Sequence, residues 1–408
     1  GLALGFNLPM VASAATKKAA GSEVNAWVVV NPNNKCLIRI ARSEMGQGTE
    51  TGLAQLVAEE LECGWNNVET EFITAGQNLA RKRVWGEMGT GGSRGIRTSE
   101  DYVRRGAAAA RMMLLQAAAD EWKVPVSEVS VSDGVITHEG SKRKTTYGKV
   151  AEAASKVTPP KEVQLKDPKD WKLIGKSVHR LDTVDKVTGK MVYTADFTLP
   201  GMLLAAIKEC PVFGGKIKSF DAAKVSGMRG VKHVLQVGDS AVAVVADSWW
   251  RARVALDALP IVWDEGANAN MNSAQIDAFL KEGLTAKEAA LCQKHGDIDA
   301  ALSGAAKKVE AVYGTPFLHH ATLEPMNCTA KFANGKIEVW VASQNGDATL
   351  AAAAAAVTPK QQARMFAAAD ILLTQNPDWG AKGVRFDLIA VDTGGTARRI
   401  QDAFRMMN

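Results

Sequence analysis

The sequence predicts an α+β fold made of more than one compact unit. Its 408 residues exceed a typical domain, and an apolar fraction of 46% is ordinary for a globular protein with a real core. Apolar residues at helical spacing predict an amphipathic helix over 51–63, namely Leu53, Leu56, Val57 and Leu61. Strand-like runs at 129–132 and 135–138 flank Asp133-Gly134, a strong signal for a two-residue hairpin turn.

The first half of the chain predicts a sheet with covering helices. Strands are expected at 26–32 and 36–40 around an Asn33-Asn34 turn, and another at 68–73. Gly64 is placed to end the first helix. Residues 96–122 are rich in Ala, Met, Leu and Arg and predict a long helix, and 147–155 predicts a short one. Prolines and charged residues then predict a linker over 158–172.

The second half predicts a smaller α+β unit and a third piece. The smaller unit combines a helical turn at 220–225 and a helix at 249–259 with strands at 203–208, 231–237, 242–246 and 260–263. Polar residues 267–295 predict a surface excursion. The third piece is expected to contain a helix at 297–306, a strand at 309–313 and a hairpin at 328–332 and 337–341. Residues 348–356 are nearly all alanine, which favours helix by propensity alone.

Two glycine loops form the candidate binding site. Each contains Glu-Met-Gly-X-Gly, beginning at Glu44 and at Glu87, and each precedes a predicted helix. Such a loop offers backbone N–H groups and a positive helix end, which suit a phosphate or another anion. Two loops suggest a large anionic cofactor held from two sides. The candidate cofactor-binding residues are Gly46, Gln47, Gly48, Thr49, Gly91, Gly92, Ser93 and Arg94.

Neither loop completes a common nucleotide-binding signature. Residues 46–48 do not extend to G-x-G-x-x-G, and residues 91–94 lack the Gly-Lys-Ser/Thr of a phosphate loop. A Gly-Gln-Gly turn on its own is most often only a turn. Gln47 favours the binding interpretation, since an amide between two glycines can present both a donor and an acceptor. Ser93 and Arg94 likewise suit phosphate or a heterocycle.

Composition argues against several other functions. The net charge of +5 is mild and the basic residues are scattered, so nucleic acid is not indicated. Six dispersed histidines predict no metal held by side chains. The cysteines lack close spacing, which argues against a zinc site or an iron–sulfur cluster and favours buried free thiols; they are Cys36, Cys63, Cys210, Cys292 and Cys328.

Four motifs occur in order along the chain. The first is 43–51 with 57–61 behind it, and the second is 88–93. The third runs from Leu173 through Arg180-Leu181-Asp182 to Gly215, and the fourth runs from Gly296 to Cys328. Together they make residues 26–356 similar to the molybdenum-binding large subunit of the xanthine oxidase family. The nearest types are the isoquinoline 1-oxidoreductase beta subunits and the membrane-bound bacterial aldehyde dehydrogenases.

The resemblance implies molybdopterin-binding α/β domains with an inserted α/β hammerhead-like domain. It divides the chain into a leader remnant (1–22), a molybdopterin-binding domain (23–157), a linker (158–172), the hammerhead-like domain (173–266), a surface excursion (267–295), the start of a second molybdopterin-binding domain (296–350) and an alanine-rich join with an unrelated tail (351–408). The apolar N-terminus resembles the end of a twin-arginine leader, which implies a periplasmic protein, peripheral to the inner membrane through a partner subunit. A frayed apolar terminus packed on the body is the alternative.

The implied cofactor is molybdopterin cytosine dinucleotide with molybdenum, bound without a protein side chain on the metal. The implied reaction oxidises aldehydes to carboxylic acids with water-derived oxygen. Hydroxylation of N-heterocycles is the alternative within this class. Electrons would pass to partner subunits, a small [2Fe-2S] subunit and a cytochrome c subunit that carries haem c.

Beyond Gln344 the chain departs from the family. The Gly-Gly-Gly-Phe-Gly loop and the Gly-Glu-Pro-Gly motif, whose glutamate is the family's base, do not occur, so the catalytic residues are unknown. For Glu44, Glu87 and Glu324, loop hydrogen bonds or ion pairs are favoured over a role as general base. Residues 357–406 resemble the C-terminal half of a small endonuclease-related family, without its catalytic half, and no nuclease activity is predicted. A non-catalytic, truncated scaffold is the alternative from a different class.

Overall fold

The chain folds into two compact units. In a computed structural model the described residues are 3–6, 21–288, 290, 292–318, 321–333, 336–355, 385–391 and 397–405. Unit 1 comprises Gly1–Phe197 and Ala321–Asn408, and unit 2 comprises Thr198–His320. Unit 2 is therefore an insertion in the chain of unit 1. Residues 173–197, predicted to open the hammerhead-like domain, lie in unit 1, and the predicted domain limits stay predictions.

The first segment of unit 1 alternates strands and helices. Its strands are β1 (Ala3–Phe6), β2 (Ser22–Glu23), β3 (Val28–Val30), β4 (Cys36–Ile40), β5 (Val68–Phe72), β6 (Val129–Ser132), β7 (Val135–His138) and β8 (Arg143–Thr146). Its helices are α1 (Thr49–Leu61), α2 (Ala75–Ala80), α3 (Arg94–Arg97), α4 (Glu100–Trp122), α5 (Tyr147–Ala154) and α6 (Thr183–Val187). Short 3₁₀ turns lie at Trp65–Asn67, Val126–Glu128, Glu139–Ser141, Pro168–Asp170 and Thr194–Asp196.

Unit 2 and the second segment of unit 1 follow the same mixed pattern. Unit 2 contains β9 (Leu204–Glu209), β10 (Lys216–Phe220), α7 (Ala223–Ser226), β11 (Val231–Val237), β12 (Ala241–Ala246), α8 (Trp249–Ala258), β13 (Ile261–Asp264), a 3₁₀ turn (Gly266–Asn268), α9 (Ser273–Gly283) and α10 (Ile298–Ser303). Unit 1 resumes with β14 (Cys328–Ala333), β15 (Lys336–Val341), α11 (Gly346–Ala355), β16 (Arg385–Val391) and β17 (Ala397–Arg405). The predicted α+β class is confirmed.

The strands form several small sheets. In unit 1 the largest has the order β2-β3-β4-β5, in which β4 and β5 are parallel and the other pairs antiparallel. Further sheets of unit 1 have the orders β6-β7-β8, β1-β15-β14 and β16-β17. Unit 2 has the sheets β11-β12-β9 and β10-β13. Within the predicted leader remnant, β1 pairs in parallel with β15, and residues 7–20 lie outside the described residues.

The core of unit 1 lies between the four-stranded sheet and the helices α1 and α4. These helices pack on each other, and the four apolar residues that predicted α1 are all buried. Unit 2 has a separate, smaller core in which Val242 and Val244 of β12 and Leu256 of α8 are buried. Among the described residues, no helix is both long and apolar enough to cross a bilayer.

Several local predictions were wrong. Helix α1 ends at Leu61, and its C-cap is Glu62, whose φ is 54° and whose N–H donates to Ala58 O; Gly64 also has a positive φ of 73° but lies two residues beyond this cap. The predicted strand at 309–313 does not form. The excursion predicted at 267–295 contains helix α9, which begins with a capping box at Asn272 and is exposed along nearly all of its length, so a surface position is not contradicted. Propensity is a weak guide in such polar or isolated segments. The turn at Asp133-Gly134 is confirmed, since both residues have positive φ.

The cysteines bear out the thiol prediction only in part. All five are free, and Cys36 and Cys63 are buried as expected. Cys292 and Cys328 are exposed, which contradicts the prediction of buried thiols for them. They lie outside the two hydrophobic cores described above.

The predicted linker is held against α1 by a buried glutamate. The Glu59 carboxylate accepts hydrogen bonds from Lys166 Nζ and from the backbone N atoms of Lys172 (2.8 Å) and Ile174 (3.0 Å). Burial acts to raise the pKa of Glu59, but the hydrogen bonds from Lys166 Nζ and from the backbone N atoms of Leu173 and Ile174 outweigh it and lower the pKa below its ordinary value. The connection is therefore a docked segment over these residues.

Candidate functional site

The two glycine loops lie side by side in unit 1. We call residues 43–48 the first loop and residues 86–93 the second loop. The backbone N of Ser43 donates to Thr90 Oγ1 at 3.1 Å. The buried guanidinium of Arg42, which precedes the first loop, donates to the carbonyl oxygen of Gly89 in the second. The sequence predicted that the two loops hold one ligand from two sides. In the fold, the two loops are in direct contact.

A third segment, residues 343–345, joins the loops. Ser43 Oγ donates to Ser343 O at 2.7 Å, and Thr90 N donates to Gln344 O at 2.8 Å. A Cβ atom on Gly91 would lie 3.5 Å from Gln344 Oε1, so the exposed Gln344 amide borders the second loop. Gln344 is not among the site residues predicted from the sequence. The one feature of the sequence that pointed to Gln344 is that the family motifs end at this residue.

The side-chain amide of Gln47 is hydrogen-bonded to the first loop and to the first residue of α1. Its Oε1 accepts from Met45 N at 2.6 Å, and its Nε2 donates to Ser43 O (3.0 Å) and to Thr49 Oγ1 (2.8 Å). Gly46 and Gly48 have φ of 95° and 88°, in the left-handed region that favours glycine. The Gln47 side chain thus fastens the loop to itself. Its assignment to cofactor binding, with Gly46, Gly48 and Thr49, stays a prediction.

A carboxylate of the chain itself occupies the N-terminus of α1. Glu44 Oε1 accepts from Gly46 N (2.7 Å) and Gly48 N (3.0 Å), and Glu44 Oε2 accepts from Glu50 N (2.9 Å). Arg180 Nη2 lies 3.2 Å from Glu44 Oε1, and Arg180 Nη1 donates to Gly46 O at 2.8 Å. Three amides that the sequence offered to an external anion are therefore already bonded.

Three acidic side chains meet beside the first loop, and two of them, Glu44 and Asp182, pair with cations. Carboxylate oxygens of Glu44, Glu50 and Asp182 lie within 4.8 Å of one another. Asp182 accepts from Arg180 Nη2 (2.7 Å) and from Lys186 Nζ (2.6 Å). The hydrogen bond from Arg180 lowers the pKa of Asp182 to about 2, although burial opposes the shift. Burial raises the pKa of Glu50 above its ordinary value, although a hydrogen bond from the Thr70 hydroxyl opposes the shift.

The second loop presents open backbone. Gly92 and Ser93 have positive φ of 71° and 57°, and both are exposed. The amides of residues 91–93 make no hydrogen bond to the described part of the chain. Arg94 Nε donates to Gly91 O at 2.9 Å, and Arg97 Nη2 donates to Gly92 O at 3.2 Å. The second loop therefore keeps free donors next to two positive charges. Its cofactor-binding assignment also stays a prediction.

The other two glutamates beside the motifs have structural partners. Glu87 is 74% exposed and pairs with Arg94 Nη1 at 3.2 Å. Glu324 Oε1 accepts from Ala195 N at 3.1 Å and from Asn327 Nδ2 at 3.3 Å. These contacts agree with the loop hydrogen bonds and ion pairs that the sequence analysis favoured. No catalytic residue is assigned.

Comparison with known proteins now identifies the domains. A family described as "Molybdopterin cofactor-binding domain" matches residues 1–199, and a second family with the same description matches residues 281–367. These two stretches of the chain are thus similar to molybdopterin cofactor-binding domains. Both glycine loops fall in the first match, and the segment 343–345 falls in the second. The contact between loops and segment is thus a contact between two molybdopterin-binding regions of one chain.

Two of the curated relatives are named as an oxidoreductase subunit and a dehydrogenase. The chain is 27% identical to isoquinoline 1-oxidoreductase subunit beta of Brevundimonas diminuta, over 81% of this chain and 48% of the relative. It is 26% identical to membrane-bound aldehyde dehydrogenase (pyrroloquinoline-quinone) of Gluconacetobacter polyoxogenes, over 79% of this chain and 42% of the relative. The predicted resemblance to the xanthine oxidase type is confirmed. The chain spans less than half the length of either relative.

The tail is similar to a different group of proteins. A UPF0102 protein of Granulibacter bethesdensis is 53% identical over 58 residues, which are 14% of this chain and 37% of that protein. The predicted change of family in the tail is confirmed. Most of residues 357–406 lie outside the described residues, apart from the antiparallel pair β16 and β17.

Proposed function

We propose that this chain is the cofactor-binding part of a molybdenum hydroxylase that oxidises aldehydes to carboxylic acids. The overall change is RCHO + H₂O → RCOOH + 2e⁻ + 2H⁺, with both electrons leaving to partner subunits. The observation that carries the proposal is the contact between the two glycine loops and residues 343–345, because it joins two molybdopterin-binding regions at one place.

The residues of this place suit an anionic pterin dinucleotide. The amides of Gly91, Gly92 and Ser93 are open, and a Cβ on Gly92 would meet no atom within 4 Å, so a ligand can approach the backbone closely. The guanidinium groups of Arg94 and Arg97 lie beside these amides. Open amides and fixed positive charge are the groups that hold phosphates and pyrophosphates. The donor set therefore fits the phosphates of a dinucleotide cofactor, and the cytosine form of that dinucleotide is part of the proposal.

In this proposed function the chain's own residues bind the cofactor and orient it. The second loop would hold the phosphate groups, and the Gln344 amide borders it with one donor and one acceptor. Gln47 and Glu44 would keep the first loop in one shape through their internal hydrogen bonds. When bound, the molybdenum cofactor supplies the oxygen-transfer chemistry and takes up two electrons.

The substrate class has one alternative. A relative is an aldehyde dehydrogenase, which favours aldehydes, while another is an isoquinoline oxidoreductase, which favours N-heterocycles. Dye reduction by the purified complex with acetaldehyde and with isoquinoline separates the two. Turnover of isoquinoline alone would reject the aldehyde proposal.

The partners and the location belong to the same proposal. A subunit with [2Fe-2S] clusters would accept the electrons, and a cytochrome c subunit would pass them on. The enzyme would work in the periplasm, peripheral to the inner membrane through a partner. Co-purification from fractionated cells checks these points, and recovery of the chain only from cytoplasm would contradict the location.

Metal and nucleotide analysis tests the cofactor directly. The purified complex should contain about one molybdenum per chain and release a similar amount of CMP after acid hydrolysis. The absence of both would favour the alternative from a different class, a non-catalytic scaffold that keeps the fold.

A further inference from the structure

The first and second glycine loops differ in which groups accept hydrogen bonds from their backbone N–H groups. In the first loop Glu44 accepts from three backbone N–H groups, whereas the three amides of residues 91–93 bind nothing in the described part of the chain. Helix α1 has 13 residues, so its N-terminus carries a full dipole, and a carboxylate placed there is stabilised. The sequence motifs suggested two equivalent loops, and the contacts show two different ones.

We propose that Glu44 is the permanent anion of the first loop and a positioning residue for the cofactor site. Its carboxylate takes the place that an external phosphate would take at the amides of Gly46, Gly48 and Glu50, so the phosphates of a cofactor meet the open amides of residues 91–93 rather than these three. This inference rests on the proposed function for its cofactor, but the internal anion itself is a property of the free chain.

The geometry around Glu44 supports a fixed position. The carboxylate is only 10% exposed, and Arg180 binds both Glu44 and the carbonyl of Gly46. Asp182 in turn holds Arg180 through Nε and Nη2, at 2.9 and 2.7 Å. Leu181 N donates to Thr51 Oγ1 at 3.1 Å, which ties the same segment to α1. Displacing the Glu44 carboxylate would break three hydrogen bonds from backbone N–H groups and, at the same time, the ion pair with Arg180.

The loop also has contacts through which its shape reaches the second loop. Thr49 is the first residue of α1, and a Cβ on Gly95 would lie 2.8 Å from Thr49 Oγ1. Ser43 bonds Thr90 in the second loop. When Glu44 holds the first loop in place, that loop also fixes Thr90, which lies next to the open amides of residues 91–93. Loss of Glu44 should loosen both loops without emptying a hydrophobic core.

Chemical rescue in the full chain tests the internal anion. Glu44→Ala should raise the hydrogen-exchange rate of peptides covering 43–52 at least tenfold, and millimolar formate should restore most of the protection. Chloride at the same ionic strength should not. Glu69→Ala is the matched control, because Glu69 is an exposed glutamate on β5 whose side chain makes no hydrogen bond or ion pair in the described part of the chain. Arg180→Ala should increase exchange less than Glu44→Ala.

Three outcomes would overturn the inference. Exchange in Glu44→Ala equal to that of wild type would mean that the carboxylate does not hold the loop. Loss of protection without formate rescue would mean that the loop does not recognise an anion there. Pyrophosphate that protects residues 43–52 in wild type would mean that an external anion displaces Glu44. If formate rescue is seen but the complex lacks molybdenum and CMP, the proposed function fails and the inference stands.

Discussion

Removing the buried carboxylate of Glu60 should destabilise unit 1 strongly. Glu60 is 0% exposed and its Oε1 accepts from Arg104 Nε (3.0 Å) and Nη2 (2.8 Å). Its Oε2 accepts from the backbone N of Lys166 at 3.1 Å. Glu60→Ala leaves a guanidinium that is only 10% exposed without its principal partner. Loss of one partner of a buried ion pair costs about 3–5 kcal/mol of unfolding free energy.

The same arginine supplies the control. Arg104 Nη1 also lies 3.4 Å from Glu100, whose side chain is 51% exposed. Because solvent screens that pair, Glu100→Ala should cost only about 0.3–0.5 kcal/mol. The double change Glu60→Leu with Arg104→Met removes both buried charges, so it should recover most of the loss in Glu60→Ala.

Urea unfolding with hydrogen exchange on peptides of α4 measures the effect in unit 1. Exchange at α4 is needed because a chain with two units need not unfold in one step. A Glu60→Ala cost within about 1 kcal/mol of the Glu100→Ala cost would refute the reasoning. So would a double variant that is no more stable than Glu60→Ala.

Three further predictions address the acid limit, the packing and the loop. Asp182 has a folded pKa of about 2, below the ordinary value of about 3.9, so its stabilisation is present above pH ~4 and is lost as pH falls toward 2. The stability difference between wild type and Asp182→Asn should shrink across that window, and a constant difference would contradict it. Gly106→Ala should cost about 1–3 kcal/mol despite its place in α4, since the new Cβ would lie 2.5 Å from Trp27 Cδ1. Gly283→Ala, with no atom within 4 Å, is the control and should be neutral or slightly stabilising in thermal melts. Gln47→Ala should lower the molybdenum content and leave the melting temperature nearly unchanged, because Gln47 lies outside the core; unchanged molybdenum would count against its assignment.

Local patterns predicted the elements well because their causes are local. The apolar spacing of α1 and the Asp133-Gly134 turn each depend on neighbours within a few residues, and both form as expected. The strand predicted at 309–313 lacks a partner, and a strand gains its stability only from pairing. The family motifs also predicted that two glycine loops belong to one site.

The chemistry inside the site could not be predicted from spacing. Glu44 and Arg180 are 136 positions apart, and their contact helps to hold the Glu44 carboxylate against the amides of Gly46, Gly48 and Glu50. Gln344 reaches the second loop only through the tertiary fold. The sequence identifies hydrogen-bond donors and acceptors, but which of them pair depends on the segments that the tertiary fold brings together.

The hydrogen bond from Ser43 to Ser343 has a consequence for how the protein is made. It joins residues 300 positions apart, and all of unit 2 is synthesised between them. Contacts of such sequence separation form late in folding. Both glycine loops therefore leave the ribosome long before residues 343–345 can close against them. During synthesis the two glycine loops therefore stay without this contact for as long as unit 2 takes to emerge.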